Sequence, residues 1–170
     1  MNKKIAVFGS AFNPPSLGHK SVIDSLMHFD EVWLVPSIAH AWGKSMLVYH
    51  QRCALVDAFI VDLGNEKIHR SIVEEGLHRP GESVTTFAVL DALSKQHPNS
   101  EFTFVLGPDN LLNFSRFYKA DEIIQRWSIL ACPEKVKIRS TDIRNKIANN
   151  HDVSELTTVS VVKLLKEVTF

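Results

Sequence analysis

Residues Ile5–His19, with the sequence IAVFGSAFNPPSLGH, give the clearest indication of the fold that we expect for this chain. Its first four residues, Ile5–Phe8, are apolar and predict a short buried strand, which ends at Gly9. A polar loop with two prolines follows, and apolar side chains then recur at helical spacing from Gly18 to Phe29. A strand, a loop and a helix in this order indicate the start of a βαβ unit.

The same alternation of short apolar runs and longer amphipathic segments continues along the chain. Further strands are predicted at 32–35, 68–73, 102–106 and 128–132, and further helices at 49–62, 84–96, 140–149 and 153–168. Such alternation is typical of a parallel sheet that helices cover on both faces. We therefore expect an α/β protein: a single Rossmann-like, doubly wound domain over 1–170, with a mainly parallel sheet and a short C-terminal helical part over about 140–170.

The composition of the chain excludes several classes of protein. The chain has 170 residues, of which 45% are hydrophobic and 22% charged, so it suits one domain with a well-buried core and is not disordered. Its 19 basic and 19 acidic side chains cancel. Because binding a long polyanion needs a large basic excess, we expect neither a nucleic acid nor a membrane surface as a partner.

Cysteine usage and hydropathy indicate the cellular compartment. Cys53 and Cys132 lie far apart in apolar contexts, and this pattern predicts neither a disulfide framework nor a metal site. The longest apolar runs are too short for a membrane span, and the N-terminal residues do not resemble a signal peptide. A cytoplasmic protein is the resulting expectation.

The loop after the first strand is the first candidate binding segment, because open parallel sheets bind ligands at the carboxyl ends of their strands. Gly9 and Ser10 leave room for a phosphate to approach backbone amides. Gly18 and His19 begin a helix, whose N-terminus favours an anion and whose histidine can donate to a phosphate oxygen. The alternative interpretation is a rigid proline turn followed by an exposed His19. The segment is neither a dinucleotide-binding glycine motif nor a P-loop.

A second candidate segment begins the helix predicted at 140–149. The hydroxyl groups of Ser140 and Thr141, with the first-turn amides, could bind a phosphate, and Arg144 lies one turn later on the same face. The alternative is that Ser140 only caps the helix N-terminus.

Together, the two segments resemble the nucleotidyltransferase superfamily that carries an HxGH motif and a late ISTxxR-type motif. Residues 9–19 are similar to its G-[GS]-x-F-[DN]-P-x-H-x-G-H signature, and residues 139–144 to its second signature. Within that superfamily, the nicotinate/nicotinamide mononucleotide adenylyltransferases are the most similar family. The stretches 41–44 with 50–52, 83–86, 107–111 and 117–118 add to the resemblance, which runs from residue 4 to about residue 150.

The chain departs from the family pattern at a few positions. Ser16 stands where the family usually has the first histidine, whereas related phosphopantetheine adenylyltransferases have a threonine there. Phe117 replaces the usual tryptophan, which keeps a stacking face and loses the indole N–H. Ala88 replaces a threonine, and the stretch between Cys132 and Ser140 is shorter than is typical of the family.

The resemblance implies an enzyme that joins nicotinate or nicotinamide mononucleotide to the AMP part of ATP and releases pyrophosphate, in NAD biosynthesis. The implied partners are ATP and a pyridine mononucleotide, with Mg²⁺ carried by the ATP phosphates and no metal ligand from protein side chains. The implied catalytic residues are His19, Ser16, Lys44 and Arg144. The implied ATP-binding residues are Gly9, Ser10, Phe12, Gly18, His19, Gly107, Asp109, Ser140, Thr141 and Arg144. The implied acceptor-binding residues are Ser10, Ala11, Lys44, Thr85, Thr86 and Phe117.

Two alternatives stay open at this point. One is another nucleotidyltransferase of the superfamily, of the phosphopantetheine or cytidylyl type, and the other is a non-catalytic nucleotide-binding regulator. The sequence does not decide between nicotinate and nicotinamide, allows a homo-oligomer without requiring one, and leaves the roles of Arg116 and His50 undefined.

Overall fold

The structure, a computed structural model, describes residues 2–40 and 45–170. Its centre is a five-stranded sheet in the order β3-β2-β1-β4-β5, in which every pair of neighbours is parallel. The strands are β1 (Lys3–Ser10), β2 (Glu31–Pro36), β3 (Ile68–Arg70), β4 (Ser100–Leu106) and β5 (Ser128–Ala131). This order confirms the predicted α/β class and the doubly wound parallel sheet.

Helices connect the strands and cover both faces of the sheet. The α-helices are α1 (Leu17–Asp24), α2 (Tyr49–Leu63), α3 (Thr86–Gln96), α4 (Pro108–Leu112), α5 (Ala120–Arg126), α6 (Ser140–Ala148) and α7 (Val159–Leu165). Short 3₁₀ turns lie at Val73–Gly76 and Phe114–Arg116. No helix in the described part of the chain is long and apolar enough to span a bilayer.

The alternation of side chains along β1 divides the core in two. Ala6 and Phe8 point into a cluster that α1, α2, α6 and α7 cover, whereas Ile5 and Val7 point into a second cluster under α3 and α5. Because successive strand residues face opposite sides of a sheet, a central strand buried on both faces is apolar throughout. Cys53 and Cys132 are both buried and free.

Some predicted boundaries are wrong, and tertiary contacts explain why. The helix expected from Gly18 to Phe29 ends at Asp24, although Leu26 and Phe29 stay buried and keep the apolar spacing. The final helix begins at Val159 instead of Val153, because the preceding turn pairs with the start of α1: the Leu156 carbonyl accepts from the Leu17 amide at 2.9 Å.

The helices between β4 and β5 were not predicted. Helix α4 has no buried residue, and Leu111 and Leu112 are exposed, so it has no apolar face to mark it in the sequence. Helix α5 buries only Ala120 and Ile123. Short helices of this kind depend on packing against the sheet, which sequence periodicity does not report.

Candidate active site

The strand order places the candidate site. From β1 the chain leads to β2 on one side of the sheet, and β4 lies on the other side, so the carboxyl ends of β1 and β4 flank the switch point. A cavity of about 290 Å³ lies there. It is lined by these residues expected from the sequence: Gly9, Ser10, Ala11, Phe12, Ser16, Gly18, His19, Gly107, Ser140, Thr141 and Arg144.

The His19 ring lies at the start of α1 with both nitrogens engaged. Its Nδ1 accepts from the Ser16 backbone N–H at 3.0 Å, and its Nε2 lies 3.0 Å from Ser10 Oγ. Since Nδ1 is an acceptor, the proton of the neutral ring is on Nε2, which faces Ser10. The Phe12 ring packs against the imidazole at 4.8 Å between ring centres. Burial lowers the pKa of His19 to about 4, so the imidazole is neutral at pH 7.

Ser16 is the N-cap of α1, and its side chain is engaged locally. Its hydroxyl accepts from the His19 backbone N–H at 3.3 Å and lies 3.2 Å from the Ile138 carbonyl oxygen, to which it donates. The residue is only 1% exposed. The serine that replaces the family's first histidine therefore fixes the helix start and, through its backbone N–H, the orientation of the His19 ring.

The N-terminus of α6 packs directly onto the loop after β1. Ser140 Oγ donates to the Pro14 carbonyl at 2.6 Å, and Arg144 Nη1 donates to the Asn13 carbonyl at 2.7 Å. Arg144 Nη2 also donates to Thr141 Oγ1 at 3.0 Å. Ser140 is the first residue of the helix and not its cap, because the N-cap position belongs to Arg139.

Two further side chains carry charge at the cavity edge. Arg139 lines the cavity and forms ion pairs with Asp109 at 3.2 Å and with Glu134 at 3.4 Å. The Asp109 side chain is 73% exposed and lies outside the lining of the cavity. The Asp109 carboxylate raises the pKa of Arg139, and burial lowers that of Arg144. The cavity lining thus contains two guanidinium groups, of Arg139 and Arg144, and Arg139 is already paired with two carboxylates.

Three residues expected on the acceptor side lie apart from this cavity lining. Thr85 is the N-cap of α3, and its hydroxyl accepts from the Ala88 amide at 3.1 Å. Thr86 is the first residue of that helix, and Phe117 packs against Phe104 and Phe114 in the second core cluster. Lys44 lies outside the residues that the structure describes.

Several other residues that the sequence did not indicate also line the cavity, among them Asn13, Met46, Asn110, Glu134, Ile138 and Arg139. Asn13 is the most informative of these. Its carbonyl accepts from Arg144, and its Oδ1 accepts from the Leu47 backbone N–H at 3.1 Å. The sequence shows only that Asn13 precedes two prolines in the loop after a buried strand, whereas its burial, which requires partners for the amide, is seen in the structure.

Comparison with known proteins shows which family the chain resembles. The cytidylyltransferase-like family model matches residues 7–147. A protein of Myxococcus xanthus named a probable nicotinate-nucleotide adenylyltransferase is 27% identical, with 96% of this chain and 92% of that protein aligned. A Cytophaga hutchinsonii protein with the same name is 30% identical, over 76% of this chain and 68% of that protein.

Solved structures agree with that placement. The crystal structure of a candidate nicotinate-nucleotide adenylyltransferase from Vibrio parahaemolyticus is 55% identical, with a TM-score of 0.88 over 96% of this chain and 99% of that chain. Plasmodium falciparum nicotinic acid mononucleotide adenylyltransferase, complexed with NaAD, has the same fold at 17% identity, with a TM-score of 0.76 over 97% of this chain and 95% of that chain. The protein therefore belongs to the nicotinate-nucleotide adenylyltransferase family, within the cytidylyltransferase-like nucleotidyltransferases.

Proposed function

We propose that this enzyme transfers the adenylyl group of ATP to the phosphate of nicotinate mononucleotide, which forms the dinucleotide of nicotinate and adenine and releases pyrophosphate. One observation carries the proposal: the His19 ring and the N-terminus of α6 line a single cavity at the switch point of the sheet. The acceptor phosphate is itself the nucleophile. The reaction therefore needs no covalent intermediate, and catalysis consists of positioning and charge stabilisation.

We assign His19 to the α-phosphate of ATP, which belongs to the adenylyl group that is transferred. At neutral pH its Nε2–H is a hydrogen-bond donor held in place by the Ser16 amide on the opposite side of the ring. When the α-phosphate is bound, the Nε2–H would leave Ser10 Oγ and donate to a phosphate oxygen, whose charge grows in the transition state. We assign Ser16 a part in holding this ring, because its backbone N–H donates to His19 Nδ1 at 3.0 Å and its hydroxyl oxygen lies 3.1 Å from the same nitrogen.

The N-terminus of α6 would hold the pyrophosphate that leaves. Ser140 and Thr141 supply hydroxyl groups and first-turn amides, and Arg144 adds a forked cation. Gly9, Phe12, Gly18 and Gly107 shape the remaining wall for the nucleotide. Asp109 would accept from the adenosine ribose hydroxyls, for which its carboxylate must leave its present ion pair with Arg139.

The acceptor would approach from the side of Ser10 and Ala11, which line the cavity after β1. Thr85, Thr86 and Phe117 stay our candidates for the pyridine ring, and Lys44 for the acceptor phosphate. Because the first three lie outside the lining of the ligand-free cavity, their participation would require the acceptor to extend beyond it toward α3.

ATP would enter as its Mg²⁺ complex. Within 2–40 and 45–170, no group of three or more His, Cys, Asp and Glu side chains is arranged to hold a metal ion. An ion carried by phosphate oxygens, the usual coordination of Mg²⁺ with nucleotides, requires no such group.

A panel of donors and acceptors tests the proposed function. The purified protein is incubated with ATP or CTP and with nicotinate mononucleotide, nicotinamide mononucleotide or phosphopantetheine, and pyrophosphate release is measured. We expect release with ATP and a pyridine mononucleotide, with the nicotinate form preferred. Release only with CTP or phosphopantetheine would favour another transferase of the superfamily. ATP binding by calorimetry without release from any acceptor would favour a non-catalytic regulator.

A further inference from the structure

Arg52 is a buried cation outside the cavity that none of the roles above uses. Only 1% of the residue is exposed, and its guanidinium donates to four backbone carbonyls. Nε donates to Leu47 at 2.8 Å, Nη1 to Ala11 at 2.8 Å and to Ser37 at 2.6 Å, and Nη2 to Ile38 at 3.1 Å. These carbonyls belong to three separate segments: the one after β1, the one after β2 and the one before α2.

In two of these segments, one residue has both its backbone carbonyl and its backbone N–H in a hydrogen bond. The Ile38 carbonyl accepts from Arg52, and the Ile38 N–H donates to Glu74 Oε1 at 3.2 Å. The Leu47 carbonyl also accepts from Arg52, and the Leu47 N–H donates to Asn13 Oδ1 at 3.1 Å. Because the planar guanidinium presents its donors in a fixed fork, it sets the relative positions of these carbonyls.

The same contacts reach the wall of the cavity. Ala11 and Asn13 both line it. Ser37, whose carbonyl accepts from Arg52, donates through its N–H to the Ser10 carbonyl at 3.0 Å. Arg52 therefore lies behind the part of the wall formed by Ser10 and Ala11, the side that we assign to the acceptor, and its donors fix the backbone there without entering the cavity.

We propose that Arg52 is a positioning residue for the acceptor side of the adenylyl transfer. It holds the Ala11 backbone against the segment after β2, so that the wall met by the acceptor mononucleotide is rigid before binding. Lysine does not replace it, since an ammonium group has no planar fork and cannot reach four divergent carbonyls. The inference rests on the proposed function for the identity of the acceptor.

Steady-state kinetics of Arg52→Lys and Arg52→Met test the proposal, with Arg70→Lys as a matched control. Arg70 forms a two-point ion pair with Asp57 and does not line the cavity. We expect both Arg52 variants to raise KM for the acceptor by about tenfold, as loss of positional hydrogen bonds gives, while KM for ATP changes less than about twofold. Arg70→Lys should leave both KM values unchanged.

Hydrogen exchange of the ligand-free protein gives a readout that does not depend on activity. In Arg52→Lys, the hydrogen-bonded amides of Ser37, Ile38 and Leu47 should exchange faster, whereas amides of β4 should exchange as in the wild type. If Arg52→Met does not fold, Arg52→Lys decides the matter by the same two measurements. A folded Arg52→Lys protein with wild-type exchange and wild-type KM values would overturn the proposal, as would an equal rise in KM for both substrates.

The two proposals fail in different ways. A wild-type protein that is inactive with nicotinate mononucleotide contradicts the proposed function. The exchange experiment then still decides whether Arg52 holds the wall, and the acceptor that the panel identifies replaces nicotinate mononucleotide in the KM measurement.

Discussion

The carbonyl oxygen of Ile138 lies against Gly18, too close to the position of a Cβ atom for any side chain to fit there. The segment before α6 thus crosses the first turn of α1 in direct backbone contact, next to the Ser16 hydroxyl that donates to the same carbonyl. Gly18 is required here for space, since a side chain would have to displace backbone and not a flexible side chain.

Gly18→Ala should therefore destabilise the protein by about 1–3 kcal/mol, the usual cost of overpacking, and lower turnover because α1 carries His19. Gly76→Ala is the matched control, since a Cβ there would meet nothing within 4 Å. We expect it to change the free energy of unfolding by less than about 0.5 kcal/mol. Urea titrations of the two variants make the comparison, and equal stabilities would contradict the contact.

His19→Ala should lower turnover by about 100–1000-fold, because it removes a preorganised donor to the charge that develops on the transferring phosphate. The variant should still bind ATP, since the N-terminus of α6 is intact. His151→Ala provides the control, as His151 is exposed and lies outside the cavity. Unchanged turnover in His19→Ala would remove His19 from the mechanism.

The variant Ser16→Ala tests whether the Ser16 side chain positions His19 or contacts the phosphate directly. Loss of the N-cap hydroxyl should cost about 1 kcal/mol of stability. Turnover should fall less than about tenfold, because the Ser16 backbone N–H still donates to His19 Nδ1. Steady-state kinetics measure the change in turnover, and thermal unfolding measures the change in stability. A loss of turnover as large as that of His19→Ala would instead indicate that the hydroxyl binds the phosphate.

The pKa of His19 predicts a pH dependence of stability. It falls from 6.5 in the unfolded chain to about 4 in the folded protein, so the unfolded state binds more protons between these values. Stability should therefore decrease by up to about 3 kcal/mol as pH falls from 6.5 to 4. His19→Asn, which keeps an acceptor near Nδ1, should lose this part of the slope. Free energies of unfolding of both proteins across that range provide the measurement.

Glu74 should have the opposite effect. Burial raises the pKa of its carboxyl from 4.5 to about 7, so the folded state holds a proton that the unfolded state has lost between those pH values. Its contribution to stability is present below pH 4.5 and is lost as pH rises to 7. We therefore compare the free energies of unfolding of Glu74→Gln and the wild type at two pH values. The difference between them should favour the variant more at pH 7 than at pH 5. If that difference between the two proteins stays constant with pH, the Glu74 carboxyl is ionised in the folded state.

Much of the fold could be predicted because its elements are marked by local patterns. The buried strands β1, β2 and β4 are runs of apolar residues, and α2 and α3 begin within two residues of the predicted positions. The cavity residues after β1 and at the start of α6 were predicted as well, since a parallel sheet brings such loops to one edge.

The rest depends on contacts between distant segments. The Ser16 hydroxyl donates to the carbonyl of Ile138, 122 positions later, and no pattern in the sequence indicates this hydrogen bond. In the sequence Arg52 is simply a residue near a helix start, because nothing in its neighbours shows that four carbonyls surround it. Asp109 follows its strand as expected, yet its pairing with Arg139 was not predicted.

Three successive carbonyls of the loop after β1, those of Asn13, Pro14 and Pro15, accept from donors near the C-terminus: Arg144, Ser140 and Thr157. A chain still emerging from the ribosome has the strand, loop and first helix long before these donors exist. The hydrogen bonds that hold this loop are therefore completed late in synthesis. A nascent chain that ends before residue 140 would contain the whole loop after β1 and none of the three donors that hold its carbonyls.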